Sequence, residues 1–191
     1  WGTWFDCEPG TNPGFLYQQN TMRDAMVAAL TLDIFNSHCD RVVMANIAQM
    51  VNVLQAVILT DGAKMICTPT YHVFDLYKAH HDANYLPSAI TCGECSGVKQ
   101  LTATTSEKEG VITLTATNTS CTDALDVVVH LSGASAKDVT ARILTGDMHD
   151  KNTFEDAEKV TVKPFDAVCV TETGLNMTLP ACSVVEVTIR G

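Results

Sequence analysis

The stretch GVITLTATNTS, residues 110–120, decides the class of this chain. Ile112, Leu114 and Ala116 alternate with Thr113, Thr115 and Thr117. A period of two puts the apolar set on one face of an extended chain and the threonines on the other. Thr, Val and Ile also suit a pleated, half-buried surface. The same texture recurs in ALDVVVHLSG (124–133), KDVTARILTG (137–146), KVTVKPF (159–165), LNMTLP (175–180) and SVVEVTIRG (183–191). Short strands at this spacing, punctuated by Gly, Asn and Asp, predict an antiparallel β-sandwich. It begins near Ala83 and occupies residues 83–191.

Residues 1–82 read differently, as mixed α/β. After a Pro/Gly loop, EPGTNPGF (8–15), the run NTMRDAMVAALTLDIFNSH (20–38) predicts a helix apolar on most faces. Thr21 and Asp24 have the spacing of a capping box, and His38 suits the C-terminal end. DRVVMANIAQ (40–49) has a short β-branched centre that predicts a buried strand over Arg41–Ala45. Asp61-Gly62 between two apolar runs predicts a hairpin. Thr68 as N-cap and Pro69 at the first helical position start a second helix, with Tyr71, Phe74 and Tyr77 on one face beside Val73 and Leu76. One buried strand between two helices resembles the closing part of a larger α/β unit.

Bulk properties narrow the function classes. The formal charge is −10, with Lys and Arg scattered. That argues against nucleic acid or an anionic membrane as partner, since both select a basic patch. The apolar run at residues 42–59 contains Asn46, Gln49, Asn52 and Gln55, which hydrocarbon would penalise, so no transmembrane helix is expected. No basic and apolar leader of the signal-peptide kind opens the chain. Of eight cysteines only Cys92 and Cys95 form a C-x-x-C pair. Plain thiols are favoured there over a zinc site or a disulfide, because the second ligand pair of a structural zinc site is missing. Unpaired cysteines favour a reducing, cytoplasmic compartment over a periplasmic or secreted one.

Few residue types announce chemistry. Asp6 and Glu8 near Trp4 could form a carboxylate pair beside a stacking platform, but read more simply as polar loop residues. His80-His81-Asp82 imitates a metal cluster, yet adjacent helical side chains point about 100° apart and rarely share an ion. His72 reads as a satisfied core residue, and GDMHDKNTFEDAE (146–158) as a solvated connection. Two features resist a bland account. Trp1 and Trp4 flank a Gly in an extended segment that enters the Pro/Gly loop, the kind of loop that rims the active site of an α/β barrel. Gln49 lies just past the expected strand, where its amide could bind a sugar hydroxyl or satisfy nearby backbone.

Several motifs in fixed order carry a family resemblance: WGTW (1–4), MRDAMVAALTL (22–32), HCDRVV (38–43) and IAQMVN (47–52). With RILTGDMHDKNTFEDAEKVTVKPF (142–165) and LPACSVVEVTIRG (179–191), the chain resembles the C-terminal part of glycoside hydrolase family 51 α-L-arabinofuranosidases over essentially its whole length. The resemblance implies a remnant of a (β/α)8 barrel, its last strand and helices, in residues 1–82, followed by an all-β antiparallel sandwich in residues 83–191. In that family the catalytic nucleophile is the Glu immediately before the first Trp of the W-x-x-W stretch, and the acid/base Glu lies farther upstream. The resemblance therefore expects no catalytic carboxylate within these residues. It maps a substrate-binding amide onto Gln49 and a pocket-lining aromatic onto Trp4, and implies no cofactor and no metal. The implied chemistry is retaining hydrolysis of terminal α-L-arabinofuranosyl groups, with an arabinose-containing oligosaccharide or polysaccharide as partner. A homo-oligomer is implied for the full-length enzyme. The barrel remnant is expected to show apolar faces that self-association or further chain would cover. The alternative is a non-catalytic carbohydrate-binding or oligomerisation β-sandwich module. It is weakened because both tryptophans precede the sandwich.

Overall fold

The computed structural model describes all residues, Trp1–Gly191. Its first helix, α1 (Met22–Ser37), starts where the Thr21/Asp24 spacing places it. The Thr21 amide donates to Asp24 Oδ2 at 2.7 Å, and the Asp24 amide donates to the Thr21 carbonyl at 3.0 Å. A hairpin follows, β1 (Ile58–Asp61) with β2 (Lys64–Cys67), and then α2 (Pro69–Tyr77). At the start of α2 the Thr68 hydroxyl accepts from the Tyr71 amide, while Pro69 supplies a position that needs no amide donor. Its buried stripe is Pro69, Thr70, Val73, Leu76 and Tyr77. Tyr71 falls outside that stripe, exposed at its edge. The outer side of α1 is likewise open at Ile34, so that helix is buried over one broad face rather than all round. No helix is long and apolar enough to cross a membrane.

The expected strand over Arg41–Ala45 does not form. Arg41 and Val42 both donate to the His38 carbonyl in a tightened helix end, and residues 43–47 donate no backbone hydrogen bond. A strand needs a neighbour to take its amides and carbonyls, and this segment pairs with no strand. Val43 is 94% and Met44 76% exposed.

From residue 84 onward the chain is β throughout: β3 (Asn84–Tyr85), β4 (Glu94–Cys95), β5 (Val98–Lys99), β6 (Leu101–Lys108), β7 (Val111–Asn118), β8 (Leu125–His130), β9 (Asp138–Thr145), β10 (Lys163–Pro164), β11 (Val168–Thr171), β12 (Gly174–Leu179) and β13 (Ser183–Arg190). Six of these form one antiparallel sheet in the order β10-β9-β13-β7-β6-β3, and three form a second, β11-β12-β8. The predicted sandwich is thus present, and the molecule is mostly β with few helices. Tight approach shapes the second sheet where its middle strand begins: Gly174 has φ +154°, and a Cβ there would stand 2.0 Å from the Val129 carbonyl oxygen.

The six-stranded sheet is buried on both faces, and strand parity says how. On β13, Val185, Val187 and Ile189 join Leu114, Ala116 and Ile143 against Leu175, Met177 and Leu179 of the second sheet. Val184, of opposite parity, packs instead with Leu144 and Cys182 on Met22, Ala25, Met26 and Ala29 of α1 and Val73 and Leu76 of α2. Thr102 and Thr104 of β6 share this helix-facing side with Thr115 and Thr117 of β7, because Thr104 pairs with Thr115 and Thr102 with Thr117.

That polar face meets polar groups of the helices. Asp33 is buried, and its carboxylate accepts from the Tyr77 hydroxyl at 2.7 Å, Thr104 at 2.7 Å and Thr102 at 2.6 Å. Burial pushes its carboxyl up to about 6, against the hydroxyl bonds that favour the charged form. His80, in the 3-10 turn after α2, lies 2.7 Å from Ser106 Oγ through Nδ1 and 3.0 Å from Thr115 Oγ1 through Nε2. Burial lowers its pKa to about 4. The ring is thus committed to the sheet and makes no cluster with His81 and Asp82. At the other end, Arg142 bridges Glu186 (2.7 Å) and Asp75 of α2 (2.9 Å). His72 stands half-buried, edge-on to Tyr71.

The polar segment after β9 is no simple solvated loop. The Asp150 and Met148 carbonyls accept from the first amides of α1, Met22 (2.8 Å) and Arg23 (3.0 Å). These are amides that a helix start leaves without an intrahelical partner. Asn152 is buried, donating to the Cys67 and Val160 carbonyls at 2.9 Å each.

Two outcomes follow for stability. Leu144→Ala, opening a cavity beneath α1 and α2, is expected to cost about 2–5 kcal/mol in urea unfolding. For pH, Asp33 takes up a proton on folding, so its contribution is full below pH 3.8 and lost as pH rises through about 6. Keeping it charged above that costs about 3 kcal/mol. His80 has the opposite sign: its contribution is full above 6.5 and lost as pH falls toward about 4. The two slopes oppose between pH 4 and 6. Asp33→Asn should therefore make stability rise more steeply with pH across that window, and His80→Gln should make it fall, both read from urea midpoints at a series of pH values.

Candidate functional site

One backbone hydrogen bond joins the two segments that carry Trp1, Trp4 and Gln49. Trp1 runs beside the 47–52 segment, where the Ala48 amide donates to the Trp1 carbonyl at 3.4 Å. The chain then turns on itself: the Gln55 amide donates to the Ala48 carbonyl (3.2 Å), and the Val57 and Ile58 amides both donate to the Met50 carbonyl (3.0 Å). Gln49 sits at the head of this turn with an exposed side chain, and Trp4 is 69% exposed on the adjoining segment. Each is within three residues of the Trp1–Ala48 contact.

Trp1 points the other way and anchors the segment. Its ring lies edge-on to Phe35 of α1 at 5.7 Å and stacks on Phe74 of α2 at 6.2 Å. Offset and edge-on aromatic pairs of this kind add about 0.5–1.5 kcal/mol beyond buried area. Gly2 is required between the two tryptophans. Its φ is +132°, and a Cβ would stand 2.7 Å from Gln55 Cγ.

Beneath this surface lies a network of buried polar side chains. Thr3 Oγ1 donates to Asp24 Oδ1 at 2.8 Å. Gln55 Nε2 donates to Thr3 Oγ1 (2.6 Å) and to Asp24 Oδ1 (2.8 Å). Gln18 Oε1 accepts from the Phe5 amide (2.9 Å), and its Nε2 donates to the Thr3 carbonyl (3.2 Å). Asp24, Gln55 and Gln18 are all buried. Above them the Arg23 guanidinium lies 3.6 Å over the Phe5 ring, a cation–π contact. The network fixes WGTW against α1 and against residues 52–57. Asp24 serves it as an acceptor saturated by neighbours, with no open side toward a reacting group.

Sequence reading named Asp24 only as a helix cap and Gln55 only as one of four amides in an apolar run. Gln18 and Thr3 it missed. The available signal was the clustering of amides and short polar residues in otherwise apolar surroundings, where a buried polar group must find partners. Asp6 is exposed, and Glu8 donates its amide to the Tyr17 carbonyl (2.8 Å) and faces Lys151 at 3.8 Å, so the two serve the loop. Chemically, the exposed Trp4 ring offers a stacking surface and the exposed Gln49 amide a hydrogen-bond donor and acceptor.

Comparisons with known proteins agree along the whole chain. The model of the α-L-arabinofuranosidase C-terminal domain family matches residues 1–183. An intracellular exo-α-L-arabinofuranosidase of Bacteroides ovatus is 45% identical over 197 aligned positions, which cover 100% of this chain and 38% of that protein. The structure of the GH51 arabinofuranosidase from Xanthomonas axonopodis pv. citri superposes with a TM-score of 0.93 at 43% identity, covering 100% of this chain and 40% of the other. A family 51 α-L-arabinofuranosidase from Bifidobacterium longum gives 0.83 at 27% identity, over 94% of this chain and 36% of the other. The chain thus spans about two-fifths or less of each relative. Family model, relative and structures coincide over one continuous stretch, and the chain belongs to the α-L-arabinofuranosidase C-terminal domain family.

Proposed function

We propose that this chain is the C-terminal portion of a retaining α-L-arabinofuranosidase that removes terminal α-L-arabinofuranosyl groups from plant polysaccharides or oligosaccharides. Residues 1–82 belong to the closing part of its (β/α)8 barrel, and residues 83–191 form the sandwich that supports it. The observation that carries this reading is the Trp1–Ala48 contact, which sets the W-x-x-W and A-Q-x-V-N segments side by side. In the proposed enzyme Trp4 lines the sugar pocket and Gln49 hydrogen-bonds an arabinose hydroxyl. The nucleophile is the Glu that precedes Trp1 in the whole protein, so it emerges on the segment pinned by Trp1, Thr3 and Gln55. Exposure of Val43 and Met44 supports the same reading, since a closed barrel covers apolar groups at that position.

Retaining hydrolysis needs two carboxyl groups roughly 5 to 5.5 Å apart on a rigid frame, one attacking the anomeric carbon and one serving the leaving oxygen and then water. Neither belongs to these residues under the proposed mapping. The 191 residues by themselves should therefore show no turnover of 4-nitrophenyl α-L-arabinofuranoside above buffer. In the whole protein Gln49→Ala should lower kcat/KM by about 10- to 100-fold, the loss expected for one buried hydrogen bond to the substrate. Turnover by the isolated chain, or an unchanged kcat/KM in the variant, contradicts the assignment.

A further inference from the structure

Two of the cysteines, far apart in sequence, are brought together at one end of the six-stranded sheet. Cys121 lies in the connection between β7 and β8, and Cys182 immediately precedes β13. The Cys182 amide donates to the Ser120 carbonyl at 2.8 Å, so the backbones of the two cysteines flank a single hydrogen bond. The Cys121 side chain is near enough to the Cys182 thiol to help raise its pKa. The surrounding turns are held fast. The buried Asn118 side-chain amide donates to the carbonyls of Asp123 (2.9 Å), Leu179 (3.1 Å) and Pro180 (2.9 Å), binding both connections to one point. The environments of the two thiols differ: Cys121 is exposed, whereas Cys182 is buried in the core shared with α1.

We propose that Cys121 and Cys182 form a redox-active dithiol whose oxidation by a low-molecular-weight disulfide gives an internal disulfide joining the β7–β8 connection to the start of β13. The exposed Cys121 is the entry point. Its thiolate attacks one sulfur of glutathione disulfide, forming a mixed disulfide and releasing one glutathione. Cys182 then gives up its proton, attacks the Cys121 sulfur and expels the second glutathione. Two thiols are oxidised by two electrons, one glutathione disulfide is reduced to two glutathione molecules, and the two protons end on those products. Burial, with the Cys121 sulfur beside it, pushes the Cys182 thiol up to about 11. It is therefore inert toward solutes and reacts only with the sulfur next to it. The bond would close a long loop, the case in which cross-linking restricts the unfolded chain most.

The test is to incubate the reduced, folded chain with glutathione disulfide and map its peptides without reduction. The expected result is a linked Cys121–Cys182 peptide pair and a Tm raised by several degrees, returning on addition of dithiothreitol. Cys121→Ser, a change at an exposed site, should abolish the link and the Tm shift while leaving the reduced Tm in place. Glutathione persisting on Cys121 without a linked pair, or a linked pair forming only in urea, overturns the proposal.

Discussion

A buried carboxylate is tolerated only where donors surround it, and Asp33 is met by three hydroxyls from two different layers. Tyr77 reaches it from α2, Thr102 and Thr104 from β6. Because α1 supplies the carboxylate, all three elements must hold their places together or leave a charge stranded. The two helices consequently lie on the sheet in one register. His80 on Ser106 and Thr115, and Arg142 between Glu186 and Asp75, repeat the arrangement at either side. An apolar helix face could slide over an apolar sheet at small cost. Discrete polar contacts of fixed direction prevent that.

The candidate site inherits its geometry from this junction. Phe35 follows Asp33 by one half-turn on α1, and Phe74 precedes Tyr77 on α2, so the pocket that receives Trp1 is built by the helices that Asp33 and Tyr77 fasten. With Trp1 seated, Gly2 can pass Gln55, and Thr3 reaches Asp24. Trp4 is then carried outward, near the head of the turn that bears Gln49. The sandwich thus acts on the proposed sugar site at a distance, by holding the helices that hold the segment. The connection after β9 adds a second tie through the first amides of α1.

Much of this was legible in the residues themselves. Thr21 with Asp24, Asp61-Gly62, and Thr68-Pro69 each mark an element boundary by local chemistry, and each boundary is where that chemistry puts it. The sandwich strands follow from period-two alternation. What alternation leaves open is the fate of the threonine face. In GVITLTATNTS the threonines form only the face opposite the apolar set, and Thr115 and Thr117 are fully buried because helices cover it. The strand expected over Arg41–Ala45 failed for a related reason: β-branched composition describes a residue's fitness for a sheet, not the presence of a neighbour. The network of Thr3, Gln18, Asp24 and Gln55 was hidden because its members lie far apart in the chain, and the motifs that hold Thr3 and Asp24 say nothing of their joining. Trp4 and Gln49 drew notice through their places in the sequence, and the family resemblance added the roles expected of them.

The helical layer and the sandwich form a single cooperative structure, welded at Asp33. Both tryptophans lie in the first four residues, whereas nearly all the strands lie beyond residue 83, so the two parts carry separate optical signals. Urea unfolding followed by tryptophan fluorescence and by far-ultraviolet circular dichroism of the sheet measures this directly. Coincident midpoints and slopes are predicted. Loss of the tryptophan signal at distinctly lower urea, with the sheet intact, would contradict the account and mark the helical layer as a loosely held appendage.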